Sequence, residues 1–262
     1  MEQMKTMNLI FKRLPNYHQS FPIILMWSQK SGCTSLLSWF FHHIGLLDIA
    51  KKYHPWIHQY EINVFKKRDN YVSELADQLF SKEKEVYKLV RNPYKRAVSA
   101  FLMLYYYDDP YWYSVWKAIR EHQSSNNNKG ISFKQFLYYI KDTGSNISST
   151  DPHFAEQYID GEEQFVDHYI YLEDFCNQIA EIEKKYKLKK TDITQLYSPH
   201  NTSNHMIFEG HYAEMSISDP SFPVFPTYIS FYDEETKKLV DDIYHGDFTM
   251  YGYEKNLNLI KA

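Results

Sequence analysis

Residues 21–47 read FPIILMWSQKSGCTSLLSWFFHHIGLL: an apolar run, a break of small and polar residues, and a second apolar run. A short unbroken apolar run, Pro22 to Trp27, suits a strand covered on both faces. Beyond Thr34 the side chains of Leu37, Phe40, Phe41 and Ile44 recur at the spacing of one helix face, and Gly45 offers a stop. Strand, tight turn and helix therefore occupy residues 22–45. The pattern returns in EVYKLV followed by RNPYKRAVSAFLMLYYY. There Asn92 is placed to cap a helix and Pro93 to open its first turn.

The rest of the chain continues the alternation. Helices are predicted over NYVSELADQLF, VWKAIREH, FKQFLYYIKD, FCNQIAEIEKKY and, as one final helix, DEETKKLVDDIYHGDF. A late strand, HYIYLED, is expected to end at Glu173. Strands alternating with helices predict an α/β fold with a mostly parallel central sheet in three α/β/α layers. Two polar stretches, SSNNNKG at 124–130 and DTGSNISSTDP at 142–152, are insertions within a single domain spanning 1–262, its core about 22–253. Ligands of such sheets bind beyond the carboxyl ends of the strands, so the turns after PIILMW and KLV are where a site belongs.

Charge narrows the ligand. The net charge is −4, which excludes a generally basic nucleic-acid binder. Yet Lys51 to Arg96 holds eleven Lys or Arg against six Asp or Glu, a local +5 that leaves −9 for the remainder. A basic segment beside the turns suits an anion, or serves simply as a solvated face. The two cysteines, Cys33 and Cys176, make neither a disulfide framework nor a zinc site, and no metal is expected. Cys33 stands in the turn as a small side chain, with no His–Cys signature marking it as a nucleophile. No run has the length of a membrane span, and the first twenty residues lack a signal-peptide core. The expectation is a reduced, cytoplasmic protein with no integral membrane segment. Aromatic residues reach 18%, with 24 Tyr; they either pack the core or line a cleft for rings and sugars.

The first turn has the chemistry of a phosphate cradle. A helix N-terminus presents unpaired N–H groups and partial positive charge. Gly32 lets the backbone approach closely, Thr34 and Ser35 add hydroxyls, and Lys30 adds a full charge. It is not a Walker loop: Lys30 precedes Gly32, and neither the first Gly nor a Lys beside Thr34 is in place. In the second turn Arg91 offers a guanidinium fork, and Ser99, about two turns into the helix, a hydroxyl.

Together QKSGCTS and VRNPYKRAVSAF resemble the two cofactor-binding motifs of the sulfotransferases, most closely the carbohydrate and membrane-type branch that includes the heparan 2-O and chondroitin enzymes. The pattern R-x-P-x-x-R-x-x-S is present as Arg91, Pro93, Arg96 and Ser99. Weaker likeness continues through DPHFAEQY, YLEDF, HNTSN and YHGDFTMYGY, so that it covers about residues 22–253. The resemblance implies a P-loop-like fold and sulfuryl transfer from 3′-phosphoadenosine 5′-phosphosulfate (PAPS), with adenosine 3′,5′-bisphosphate as product. It assigns the 5′-phosphosulfate to Lys30, Ser31, Gly32, Cys33, Thr34 and Ser35, and the 3′-phosphate to Arg91 and Ser99. Lys30 is then the donor to the bridging oxygen. In related 2-O enzymes the general base is a His between the two motifs, which here offers His54 and His58; His153, in a segment like one lining the acceptor side, is a third candidate, and Glu61 is the alternative used in other branches. His58 is preferred, on the expectation that it follows a strand end. The HNTSN loop, 200–204, is expected to close over the nucleotide. The acceptor would be a saccharide or another hydroxyl-bearing small molecule. A P-loop kinase-like phosphotransferase and a non-catalytic nucleotide-binding module remain the competing readings.

Overall fold

The computed structural model describes residues 2–106, 110–122, 130–192 and 205–260. In chain order its main elements are α1 (Glu2–Ile10), β1 (Ile24–Trp27), α2 (Cys33–His43), α3 (Leu47–Tyr53), α4 (His58–Asn63), α5 (Tyr71–Ser81), β2 (Val86–Val90), α6 (Pro93–Tyr106), α7 (Pro110–His122), α8 (Phe133–Thr143), β3 (His168–Tyr171), α9 (Phe175–Lys185), α10 (Glu234–Ile243) and α11 (His245–Tyr251). The fold is α/β, and the three strands form a parallel sheet in the order β1-β2-β3. Contacts divide the chain into two compact units, Met1–Arg91 with Ile159–Asn201, and Asn92–Tyr158 with Thr202–Ala262.

The first unit holds the sheet. Trp27 pairs with Leu89 and Val90 with Tyr171, so the carboxyl ends of all three strands are level. The segments that follow, 28–32, Arg91 and Leu172, therefore emerge along one edge. β2 is central and buried along its whole length, as an apolar run paired on both sides must be. Its one charged member, Lys88, is 1% exposed and ion-paired to the buried Glu162. The same carboxylate accepts the Ile159 N–H at 3.0 Å. A buried ammonium is tolerable only with such a partner. On the far side of β1, Asn16 pairs with Leu25 through two backbone bonds of 2.8 and 3.0 Å. α2 buries Leu36, Leu37, Trp39, Phe40 and Phe41. Phe21 meets Trp39 and Phe40 edge-on, with centroids 5.4 and 5.1 Å apart.

The second unit is helical. α8 and α10 contribute Phe133, Phe136, Leu137 and Ile140, and Leu239, Val240 and Ile243, to one apolar core. Both begin with capping boxes, Ser132 with Gln135 and Asp233 with Thr236, which satisfy donors a helix start leaves open. Asn92 caps α6 as expected, its Oδ1 accepting the N–H of Tyr94 at 3.0 Å and of Lys95 at 3.4 Å.

Several boundaries differ from expectation. β3 stops at Tyr171, and Leu172–Asp174 form a 3₁₀ turn. The Tyr171 N–H is taken by Gln178 Oε1 at 2.9 Å, so the start of α9 ends the strand. The final helix is two: α11 begins after Tyr244 because the Gly246 N–H goes to Glu156 at 3.1 Å and the Tyr244 hydroxyl to the Phe154 carbonyl at 3.0 Å. These are tertiary bonds that no helical period announces. The stretch between α2 and α5 carries α3 and α4 where a strand was expected. Nearly all of SSNNNKG, and the whole of HNTSN, lie outside the described residues. Among the described residues, no helix is long and apolar enough to cross a membrane.

Candidate active site

The turn from β1 to α2 is built from the inside. Ser31 is fully buried; its N–H and hydroxyl both donate to the Ser28 carbonyl, at 3.3 and 2.5 Å. Its side chain therefore closes the turn. Arg13, unremarkable in sequence, donates from Nη1 to Ser28 Oγ at 3.0 Å. Lys30 is left-handed at φ +67°, a conformation that costs a residue with a Cβ about 1–2 kcal/mol and that clusters at functional sites. Gly32 is left-handed too, at φ +94°, and a Cβ on it would lie 2.5 Å from Leu172 Cδ1. Backbone freedom and close packing against the turn after β3 thus both require glycine. The helical ladder opens with the Ser35 N–H on the Gly32 carbonyl at 3.1 Å. The N–H groups of Cys33 and Thr34 come before it, at the positive end of the helix dipole, which is the geometry of an anion site.

Arg91, 7% exposed at the end of β2, donates from Nη1 to the Lys30 carbonyl at 2.9 Å. Level strand ends bring the two turns together although 61 residues separate them. The guanidinium is thereby oriented against the first turn. Ser99 lies half-buried on α6, in the second unit.

The feature least visible in the sequence is a chain of polar side chains leading into α2. His58 opens α4 and is 7% exposed. Its Nδ1 bonds Glu61 Oε2 at 2.5 Å, one helical turn on, the i,i+3 relation that puts both on one face. Nε2, the other ring nitrogen, lies 3.3 Å from Thr34 Oγ1 in the first turn of α2, next in sequence to Cys33. Behind them Glu61 Oε1 accepts from Lys66 Nζ at 2.5 Å and from Asn16 Nδ2 at 3.0 Å. Lys66 in turn donates to the Leu14 carbonyl at 2.5 Å and lies over the Trp27 ring, 5.2 Å from its centroid.

Electrostatics follow from this packing. Burial works against the Glu61 carboxylate, but Lys66 and His58 outweigh it and hold its pKa at about 2. Burial likewise disfavours charge on His58, yet Cys33 and Glu61 raise its pKa to about 10. Lys66 is pulled down by burial, partly restored by Glu61. Burial would push the Cys33 thiol up, but the charge of His58 brings it below its usual value. With Glu61 ionised and His58 and Lys66 charged, the group carries a surplus positive charge that an anion at Cys33, or bound beside it, neutralises.

The other base candidates make contacts of their own. His54 is exposed in the loop after α3, where its Nδ1 accepts the Trp56 N–H at 2.9 Å. His153 belongs to the second unit; its Nδ1 bonds Asp151 at 2.7 Å and its ring meets Trp112 edge-on at 5.3 Å. Within the first unit it is His58, not His54, whose ring meets a side chain at the start of α2. It stands at a helix start, not past a strand end, and Glu61 is its partner. Lys66, Asn16 and Arg13 escaped the sequence reading because their roles arise from contacts across 5, 45 and 15 residues, with no motif around them. The His58–Glu61 spacing was a usable signal, once the segment was known to be helical.

In comparison with known proteins, a family model described as the sulfotransferase family matches residues 17–254. No curated protein and no solved structure matches the chain.

Proposed function

Since the chain belongs to the sulfotransferase family, we propose that it transfers a sulfuryl group from PAPS to the hydroxyl of a saccharide, through the turn and the His58 chain described above. The observation that carries this reading is the direction of His58: Glu61 holds Nδ1, and Nε2 faces the first turn of α2. A base aimed at an anion cradle is what in-line transfer from a bound phosphosulfate needs.

In this reading the N–H groups of Cys33 and Thr34 and the Thr34 hydroxyl hold the 5′-phosphate, and Arg91 takes the 3′-phosphate. The acceptor oxygen attacks sulfur while the bond from sulfur to the bridging oxygen breaks. The electron pair stays on that oxygen, which becomes part of the 5′-phosphate of adenosine 3′,5′-bisphosphate. Lys30 stabilises the charge developing there. In the deprotonated fraction of His58 the acceptor proton goes to Nε2, and the Glu61 carboxylate balances the imidazolium that is restored. A saccharide acceptor has its support in the exposed rings beside this base. Trp56 is 43% exposed with its centroid 5.5 Å from that of His58; Tyr53, 52% exposed, packs on Tyr60 two residues beyond His58. Apolar ring faces next to a polar reacting group suit a sugar.

Two measurements test the proposal. Adenosine 3′,5′-bisphosphate at ~100 times its Kd should add ~2.7 kcal/mol and raise Tm by roughly 5–10 °C, with ATP–Mg weaker. Arg91→Ala should lose far more affinity for the bisphosphate than for 5′-AMP; equal losses would remove Arg91 from the 3′-phosphate site. The second measurement is a pH profile. His58 acts as a base only when deprotonated, and that fraction grows as pH rises towards about 10. Acceptor kcat/KM should therefore climb from neutral into alkaline pH, and His58→Gln should abolish the slope. A wild-type profile that is flat or falls excludes His58 as the base.

A further inference from the structure

We propose that Asn16 is the positioning residue of the His58–Glu61 pair, holding Glu61 in register with β1 so that the imidazole is directed at the start of α2. The inference rests on the reading of His58 as the base, but its test does not. Asn16 is fully buried. Its backbone N–H donates to the Leu25 carbonyl at 2.8 Å, and the Leu25 N–H donates back at 3.0 Å. β1 continues only to Trp27 before entering the turn, so Asn16 is fixed to the strand that delivers the turn. Tyr71 on α5 braces its neighbours: the hydroxyl donates to the Pro15 carbonyl at 2.7 Å and accepts the Tyr17 N–H at 3.0 Å.

The side chain reaches the other way. Asn16 Nδ2 donates to Glu61 Oε1 at 3.0 Å. An ionised carboxylate only accepts, so the amide must present its NH₂ group. Its Oδ1 is left with no hydrogen-bond partner among the described residues, a cost that an apolar side chain would not incur. What the amide supplies in return is the contact to Glu61.

The bonds close a circuit. Asn16 holds Oε1 of Glu61, Oε2 meets His58 Nδ1 at 2.5 Å, and Nε2 lies 3.3 Å from Thr34 Oγ1. From Thr34, α2 leads back through the turn to β1, where Asn16 is paired. Glu61 faces two charged groups, His58 on its own helix and Lys66 on the 3₁₀ turn Phe65–Lys67. Lys66 also holds the Leu14 carbonyl, two residues before Asn16. With Lys66 alone on Oε1 the carboxylate is free to turn towards that ammonium. A second donor from a fixed strand keeps Oε2 on Nδ1. His58 lies in addition against the rings of Trp27 and Trp56, at 6.1 and 5.5 Å, and Cys33 is the further titratable group acting on it. The partner on one ring nitrogen sets the tautomer and the direction of the other, and Asn16 acts on that partner. Nothing in LPNYH marks it in the sequence, because its role exists only once α4 packs beside the segment that pairs with β1.

The test follows His and Asn side-chain resonances of the full chain by NMR from about pH 6 to pH 11, with His58→Gln identifying the His58 signals. Asn16→Ala keeps the backbone pairing with Leu25 and removes the amide. Glu61 should then swing to Lys66, and the His58 midpoint should move down by about one pH unit or more. The Kd for adenosine 3′,5′-bisphosphate should change less than about twofold. A donor that merely drew charge from Glu61 would, on removal, strengthen the carboxylate and move the midpoint up. A residue that merely packed would leave the midpoint in place while Tm fell. Either result overturns the proposal. Should Asn16→Ala fail to fold, the unmutated protein decides. One Nδ2–H of Asn16 should be protected from solvent exchange and should shift in step with the His58 titration; an Asn16 amide indifferent to that titration overturns the proposal. Failure of the sulfuryl-transfer reading looks different: no His58-dependent transfer, with the coupling of Asn16 to His58 intact.

Discussion

Lys30→Ala is expected to lower turnover by about 10²–10³-fold, equivalent to ~3–4 kcal/mol in the barrier, while Kd for adenosine 3′,5′-bisphosphate changes little. The asymmetry comes from the step at which Lys30 acts. Under the proposed function the bridging oxygen of the bisphosphate already belongs to a phosphate that the N–H groups of α2 would hold, and one charge more would add little. In the transition state the same oxygen is acquiring charge as its bond to sulfur stretches. A group that stabilises the second condition more than the first lowers kcat when it is removed. The backbone sharpens the test, because Lys30 sits at φ +67° and its carbonyl accepts the Arg91 guanidinium. Ala keeps a Cβ and the carbonyl, so the turn and the Arg91 contact are retained. Lys30→Gly would relax the left-handed strain and is expected to stabilise the protein slightly while being as inactive. Unchanged turnover in both variants would remove Lys30 from the chemistry.

The second large effect is on stability. Glu61→Ala should cost about 3–5 kcal/mol, because it strands two buried cations, His58 and Lys66, that now share one carboxylate. For a chain of this size that is a fall in Tm of roughly 6–20 °C. Glu61→Gln keeps the shape and an acceptor oxygen and should fall less. The pH dependence identifies the cause. Glu61 is held at about 2 against an ordinary 4.5. Its contribution is therefore complete above 4.5 and is lost as pH falls from there towards 2. His58 is shifted the other way, to about 10 from 6.5, so its contribution is complete below 6.5 and is lost as pH rises through 10. Both limbs should be shallower in Glu61→Ala. Denaturant unfolding of the two proteins at several pH values checks this. Parallel curves would mean that Glu61 acts by packing alone.

How much of this was legible beforehand differs from element to element. β1, the turn and α2 were readable because each rests on local chemistry: an unbroken apolar run, a glycine at a left-handed position, apolar residues three and four apart. The same holds for β2, the Asn92 cap and Pro93 at the start of α6. β3 and the last helix ended elsewhere because Gln178 and Glu156 intercept their backbone N–H groups from a distance. Within the site, Lys30, Gly32 and Thr34 could be named from the turn, but the inward role of Ser31 could not. Its hydroxyl is equally able to face a ligand or its own backbone, and only the closed turn decides.

The sequence by itself determined the α/β alternation, the glycine-bearing turn at the first strand end and the family to which its motifs belong, because hydrophobic period and turn chemistry act over a few neighbouring residues. The tertiary structure alone decided that Arg91 meets the Lys30 carbonyl, that His58 meets Thr34 at the start of α2, and that Glu61, Lys66 and Asn16 stand behind it. Those relations depend on strand register and on how α4 packs beside α2. Charges buried together interact through a low dielectric at distances that no spacing along the chain encodes.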